Sequence, residues 1–399
     1  MLTLEEALAA VTSGIRPATD ATEVGLAQAR GRYLAAPIAS RSANPPFTNS
    51  SMDGYALASE HGQVGRILPI AGESRCGAIP SPLVPETAMR IFTGAPMPAG
   101  ADAVIMQEEV TVTGDSIRLE ASVASGTNVR AAGEDFGIAA PLYGAGHRIR
   151  PLDLALLAIA GIDRVSVRPL PRALVFATGD ELIAPGSPLA PGQVYESNRL
   201  ATIAMLEEQG AEVDDGGIVR DDLEALTQVV THATDYDFII TSGGVSVGSY
   251  DFVKRAFAEA GEVRFWRARI KPGKPLAFGH LRGRAHFFAL PGNPVSSLVT
   301  FKLFVEPALA AWHGAAPERP ELTAVAAHGY ARTPGRTEFL RARLRHMGGQ
   351  LLAWVFLGQG SHMVGPLAKT NGLVRLPDVM TGFAAGDLLS VVPLDLDFS

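Results

Sequence analysis

The sequence predicts an α/β plus β fold: a central doubly wound α/β domain, a small β domain inserted near the N-terminus and a second β domain at the C-terminus. Three observations carry that prediction. Residues 170–312 alternate strand, turn and helix, the pattern of a largely parallel sheet with helices on both faces. Residues 47–139 hold short β-favouring runs separated by turn signals. The length of 399 residues exceeds the roughly 250–300 that one core supports, and a 47% hydrophobic content supplies apolar surface for several.

The elements follow in chain order. Leu4, Leu8, Val11 and Ile15 recur at helical spacing, and Thr3 with Glu6 has the capping-box interval, so the chain opens with a helix. The loop RSANPPFTNSSMDGYA (41–56) cannot continue it, because Pro45 and Pro46 break a helix. The runs GRILPIAG, AMRIFTG, AVIMQEEVTVTG and SIRLEASV read as strands. In HRIRPLDLALLAIAGIDRVSV (147–167) an apolar helix starts near Pro151. ALVFATG (173–179) is a strand leading to the helix SNRLATIAMLEEQGA. DDLEALTQVVTHATD is helical, YDFIITSGG (236–244) a strand and DFVKRAFAEAG a helix. HFFAL (286–290) runs through PGNP into the helix VSSLVTFKLFVEPALAAW. HGAAPERPE (313–321) reads as a linker, and LLAWVF, GLVRLP and LLSVVPL as strands of the last domain. The expected domains are 1–45 with 140–168, discontinuous in sequence, then 46–139, 169–312 and 313–399.

Composition narrows the function. Net charge is −7 with a pI near 5.8, against the basic footprint of nucleic-acid binders. Cys76 stands alone, which excludes an internal disulfide and a cysteine zinc site. The opening MLTLEEALAA lacks the basic start of a secretory signal, and the longest apolar run, 154–162, is too short to span a bilayer. A soluble cytoplasmic protein is expected.

Three turns fall where strands of the α/β region end: ATGDEL (177–182), TSGGVSVGSYD (241–251) and LPGNPVSS (290–297). In open α/β sheets ligands bind beyond the carboxyl ends of the strands, and glycine-rich turns before helices let amide groups approach phosphate. Neither a Walker loop nor GxGxxG is present. Between the second and third turns, RFWRARIKPGKPLAFG concentrates Arg264, Arg267, Arg269, Lys271 and Lys274 in an acidic protein, and KPGKP cannot be helical. An anion clamp is the reading that combines these features, with lysine as a compact point charge. Carboxylates converging on such an anion would hold Mg²⁺, which takes oxygen ligands and phosphates.

Long strings carry a further reading: PPFTNSSMDGYA, RIFTGAPMPAGADAVIMQEE, NVRAAGEDF, ATGDEL, VYESN, TSGGVSVGSYD, FWRARIKPGKPLAFG, LPGNPVS and TPGRTEFLR. Together they resemble the molybdopterin molybdenumtransferase family, MoeA and the gephyrin E-domain, in family order from about residue 45 to 341. The resemblance implies an elongated multidomain homodimer whose central domain binds molybdopterin. It implies the conversion of adenylylated molybdopterin and molybdate, with Mg²⁺, into molybdenum cofactor and AMP. It places Asp251 as the Mg²⁺ ligand and the residue most needed for cleavage. Lys271, Lys274 and Ser296 would form a molybdate pocket, completed by Arg336 and Ser361. Gly243, Gly244, Ser246, Pro291, Asn293 and Pro294 belong to the binding turns. Asp53, Thr93 and Asp135 fall on family positions in the β domain, and Glu181 and Asp221 on α/β positions. In the family the β domain of one subunit faces the α/β site of the other. Two departures stand out: Arg267 where lysine is common, and Ser249 where an acid is common. The implied partners are a molybdopterin adenylyltransferase upstream and molybdoenzymes or carriers downstream, with no nucleic acid and no membrane. Two alternatives stay open: a non-catalytic molybdopterin carrier or scaffold, and an adenylyltransferase of the neighbouring step. The extra β domains and KPGKP argue against the second.

Overall fold

Thr3 caps the first helix, α1 (Leu4–Gly14), and its hydroxyl accepts the Glu6 amide while Glu6 accepts the Thr3 amide, the full capping box. The computed structural model describes residues 1–244, 250–283, 285–316 and 321–395. These divide into two compact units, one of residues 23–30 and 36–166, the other of residues 1–22 and 31–35 with the chain from Val167 on.

The first of these units is built on the short strands β1 (Gly54–Leu57), β2 (Ile67–Ser74), β3 (Ala88–Ile91), β4 (Ala103–Met106), β5 (Val110–Thr113) and β6 (Ser116–Leu119). They form one sheet in the order β4-β1-β3-β2-β6-β5. Tyr55, Leu57, Leu68, Ile105, Ile117 and Leu119 fill its core. The helix α2 (Pro151–Ile159) starts at the proline, as its fixed φ allows.

In the other unit the predicted alternation is realised by β7 (Arg172–Thr178), α3 (Asn198–Glu208), β8 (Glu212–Val219), α4 (Leu223–His232), β9 (Phe238–Ser242) and α5 (Tyr250–Ala260). Strand β10 (Gly261–Arg267), the short β11 (Ile270–Lys271), β12 (Pro275–Leu281) and β13 (His286–Leu290) follow. The sheet order is β8-β7-β9-β13-β12-β10. Its first four strands are parallel, whereas β12 pairs antiparallel with β13 and β10 with β12. The basic segment of the sequence is thus a hairpin that carries KPGKP at its tip. Alternate residues of the buried strands face opposite layers. Phe238, Ile240, Phe288 and Leu290 pack with α1, α3 and the last helix, while Ile239, Phe287 and Ala289 pack with α4 and α5. The sheet is doubly wound, as expected.

That last helix, α6 (Pro294–Trp312), contains a π-helical turn at Phe301–Val305. It is long and apolar enough to cross a membrane, but 72% of its most apolar window is buried against this core. His313 is also buried and stacks on Tyr33, so the expected linker starts beyond it. Strands β14 (Leu322–Ala326), β15 (Thr337–Met347), β16 (Gln350–Val355), β17 (Gly372–Leu376) and β18 (Leu388–Pro393) form the C-terminal β structure. Their order β15-β16-β14-β18-β17 closes through pairing of β15 with β17, so the sheet becomes a barrel around Leu340, Leu344, Val355, Val374 and Val391. Strand β11 joins this sheet by pairing parallel with the start of β15.

Candidate active-site cleft

A cleft of about 830 Å³ opens beyond the carboxyl ends of β7, β9 and β13, the edge where open α/β sheets take ligands. Gly243 shows why the sequence needs glycine there. Its φ is +92°, and a Cβ would lie 2.3 Å from the Thr178 carbonyl oxygen. Its amide donates to the Leu290 carbonyl at 3.2 Å, which ties the ends of β9 and β13 together.

The cleft gathers most of the residues singled out in the sequence. Glu181, Gly243, Gly244, Lys271, Lys274, Pro291, Asn293, Pro294, Ser296, Arg336 and Ser361 all line it. Ser296 is buried on the first turn of α6. The Arg336 guanidinium donates to the Ile270 carbonyl at 3.1 Å, and the Val295 amide donates to the Ser361 carbonyl at 3.3 Å. These bonds draw the barrel's 358–363 loop and the KPGKP tip to one opening. Lys274 pairs with no carboxylate among the described residues, whereas Lys271 lies 2.7 Å from Glu338.

Other residues are placed differently. Asp221 is not among the residues that line the cleft, but its carboxylate accepts from the hydroxyl of Thr178, which does, at 3.4 Å. Asp53 and Thr93 belong to the other unit, and there they meet: the Thr93 amide donates to the Asp53 carboxylate at 2.7 Å. That amide and the Thr93 hydroxyl hold the carboxyl below its ordinary pKa. Asp135, in the same unit, accepts from the Asn44 side chain at 2.9 Å. Ser246 lies outside the described residues, as does Ser249. Asp251 is the second residue of α5, and its side chain is likewise outside the description. Arg267 ends β10 and does not line the cleft.

Sequence reasoning missed several cleft residues. Asn198 donates to the Gly292 carbonyl at 2.6 Å and so fixes the PGNP turn from the start of α3. The adjacent Glu196 is buried and accepts the Arg199 amide at 2.6 Å. Both lie in VYESN, so the string was visible but its hydrogen bonds were not. Gln359 and His362 enter from the barrel loop. Beneath that loop Arg341 is fully buried and donates to the carbonyls of Gly358 at 2.8 Å, Gly360 at 3.1 Å and Met363. Burial alone lowers its pKa, and no carboxylate among the described residues pairs with it. Its signal was the alternation TEFLRAR, which puts Arg341 in phase with buried Phe339.

Chemically the cleft offers two lysines, an arginine, hydroxyls and a glycine turn, a set suited to oxyanions and phosphates. Among the described residues no group of three or more His, Cys, Asp or Glu side chains could hold a metal by itself.

Family models match along the chain: the MoeA N-terminal region (domain I and II) at residues 2–161, a probable molybdopterin binding domain at 174–311 and the MoeA C-terminal region (domain IV) at 323–394. A molybdopterin molybdenumtransferase of Haemophilus influenzae is 36% identical, covering 99% of each chain. Molybdopterin molybdenumtransferase 2 of Mycobacterium tuberculosis is also 36% identical, covering 97% of each. The crystal structure of a molybdopterin biosynthesis MoeA protein from Pyrococcus horikoshii matches with a TM-score of 0.86 at 28% identity, over 98% of this chain and 100% of that one.

Proposed function

The chain belongs to the molybdopterin molybdenumtransferase (MoeA) family, and we propose that its 830 Å³ cleft converts adenylylated molybdopterin and molybdate into molybdenum cofactor and AMP. The enzyme is a transferase of molybdenum-cofactor biosynthesis. The observation that carries the finer reading is the meeting of two anion-binding surfaces in one opening. The Gly243–Gly244 and Pro291–Pro294 turns suit the phosphates of a nucleotidyl substrate. Lys271, Lys274, Ser296, Arg336 and Ser361 surround space for a compact oxyanion.

In this reading the lysines and Arg336 hold molybdate beside the dithiolene, and the glycine turn holds the phosphoanhydride in place for cleavage. Mg²⁺ takes one or two protein carboxylates and completes its shell with substrate phosphate and water. Glu181 lines the cleft and supplies one such carboxylate; with Asp251, the ligand the family resemblance implies, it would hold the ion. When bound it would neutralise charge on the departing AMP. A homodimer would bring Asp53, Thr93 and Asp135 of one subunit to the cleft of the other, in keeping with the family resemblance. A cytoplasmic enzyme fed by an adenylyltransferase and serving molybdoenzymes or their carriers completes the proposal.

The test follows AMP release from adenylylated molybdopterin with Mg²⁺ and molybdate, and reconstitution of an apo-molybdoenzyme by the product. Molybdate-stimulated release supports the reading; tight binding without release points instead to a carrier. Asp251→Ala is expected to bind substrate and release no AMP, and full activity in that variant would sink the assignment.

A further inference from the structure

Glu338 stands two residues after Arg336 in TPGRTEFLR, where nothing in the sequence distinguishes it from an ordinary surface acid. It is 2% exposed. One carboxylate oxygen lies 2.7 Å from the Lys271 ammonium. The other lies 3.5 Å from the Arg332 guanidinium without forming a hydrogen bond. Arg332 has other work, since its fork donates to the carbonyls of Arg336, Pro377 and Met380. The shorter ion pair of Glu338 is therefore the one to Lys271.

The backbone sets this pair side by side. In the parallel pairing of β11 with β15, Ile270 is opposite Thr337 and Lys271 is opposite Glu338, so both side chains leave the sheet on one face. Lys271 is a long, flexible side chain, about half exposed, at the mouth of the cleft. An ammonium carries three donors, and this ion pair leaves donors for an anion in the cleft that Lys271 lines.

We infer that Glu338 is the positioning residue for Lys271: its buried carboxylate fixes the ammonium in the one geometry that meets the bound oxyanion. The inference rests on the oxyanion reading of the cleft. Without Glu338 the lysine keeps its charge and loses its fixed place, and the incoming anion must order it at each binding event. Lys271 is the nearer of its two charged neighbours, Arg332 being the other, and dependence on Lys271 is what separates this role from that of a general structural ion pair.

A double-mutant cycle tests this with the full-length enzyme, using molybdate-dependent AMP release. Glu338→Gln is expected to raise the molybdate KM about tenfold, with kcat near wild type, since contacting partners couple by amounts of this order. Glu338→Asp, which keeps the charge, is expected to restore part of the difference. In a Lys271→Ala background, Glu338→Gln is expected to change the molybdate KM no further. An unchanged KM in folded Glu338→Gln, or effects of the two substitutions that multiply, overturns the inference. If Glu338→Gln does not fold, Glu338→Asp is read alone and in the Lys271→Ala background by the same criterion. A wild-type enzyme that releases no AMP overturns the oxyanion reading itself, a result distinct from either.

Discussion

Replacing Arg341 by methionine separates a residue that holds the cleft from one that holds the fold. The buried guanidinium donates to the carbonyls of Gly358, Gly360 and Met363, with no carboxylate among the described residues to balance it. Charge-assisted hydrogen bonds contribute roughly 1.5–3 kcal/mol each. Against them stands the cost of keeping an ion from water, several kcal/mol after relaxation. Methionine fills much of the same space with an adaptable apolar stem. The freed carbonyls sit on a half-buried loop, where water can replace the lost donors. The two large contributions therefore nearly cancel, and global stability should fall by only about 1–2 kcal/mol. The loop itself loses its anchor, and with it the placement of Ser361 and His362 at the cleft. Urea unfolding gives the first quantity and the molybdate dependence of AMP release the second. The expected outcome is a small stability loss with a molybdate KM raised about tenfold, equivalent to ~1.4 kcal/mol. A loss above about 4 kcal/mol with an unchanged KM would refute the reasoning, because the buried charge would then be a support of the barrel.

Three more outcomes are expected. Lys271→Ala and Lys274→Ala should each raise the molybdate requirement, by roughly the 1.5–3 kcal/mol of a charge-assisted contact; titrations indistinguishable from wild type in both would place the oxyanion elsewhere. Gly243→Ala should weaken molybdopterin binding, since the new Cβ meets the Thr178 carbonyl at 2.3 Å and the left-handed backbone adds about 1–2 kcal/mol; equal affinity by fluorescence titration would contradict that packing. His286 is buried against His280, their Nδ1 atoms 2.8 Å apart, and its Nε2 accepts the Arg16 amide. Burial pushes its pKa down to about 3, so between about 3 and 6.5 the unfolded chain binds the extra proton. Stability should therefore rise with pH across that window, by up to about 1.4 kcal/mol per unit. Urea midpoints at several pH values should show a shallower slope in His286→Asn, and parallel slopes would disprove the contribution.

Local signals and non-local pairing account for what the sequence did and did not disclose. The capping box at Thr3 and Glu6, the proline that starts α2 and the alternation from β7 to α6 are each set by residues a few positions apart, and each is found in place. The antiparallel course of β10 and β12 is different. Alternating strand and helix texture predicts neighbours in the sheet and not the direction of an edge hairpin, which depends on the turn at KPGKP. Closure of the barrel by β15 and β17 joins segments about thirty residues apart and has no local signature.

The cleft shows the same division in its chemistry. Its glycine turns and its lysines were legible because each stands in a short motif with a physical role of its own. Asn198, Glu338 and Arg341 were not, because each acquires its role only when a distant segment arrives. Asn198 meets Gly292, Glu338 meets Lys271, and Arg341 meets a loop some twenty residues on. These three residues share one function, to hold groups from separate elements at a common opening. Such groups also explain why the strand pairing of β11 with β15 matters beyond its two ladder positions. Disrupting that register would move Lys271 away from Glu338 and the Ile270 carbonyl away from Arg336 together. In the proposed reading the oxyanion surface would thus be assembled by the pairing of the barrel with the hairpin, and a barrel that folded without that pairing would leave the Gly243 and PGNP turns in place and Lys271 without its partner.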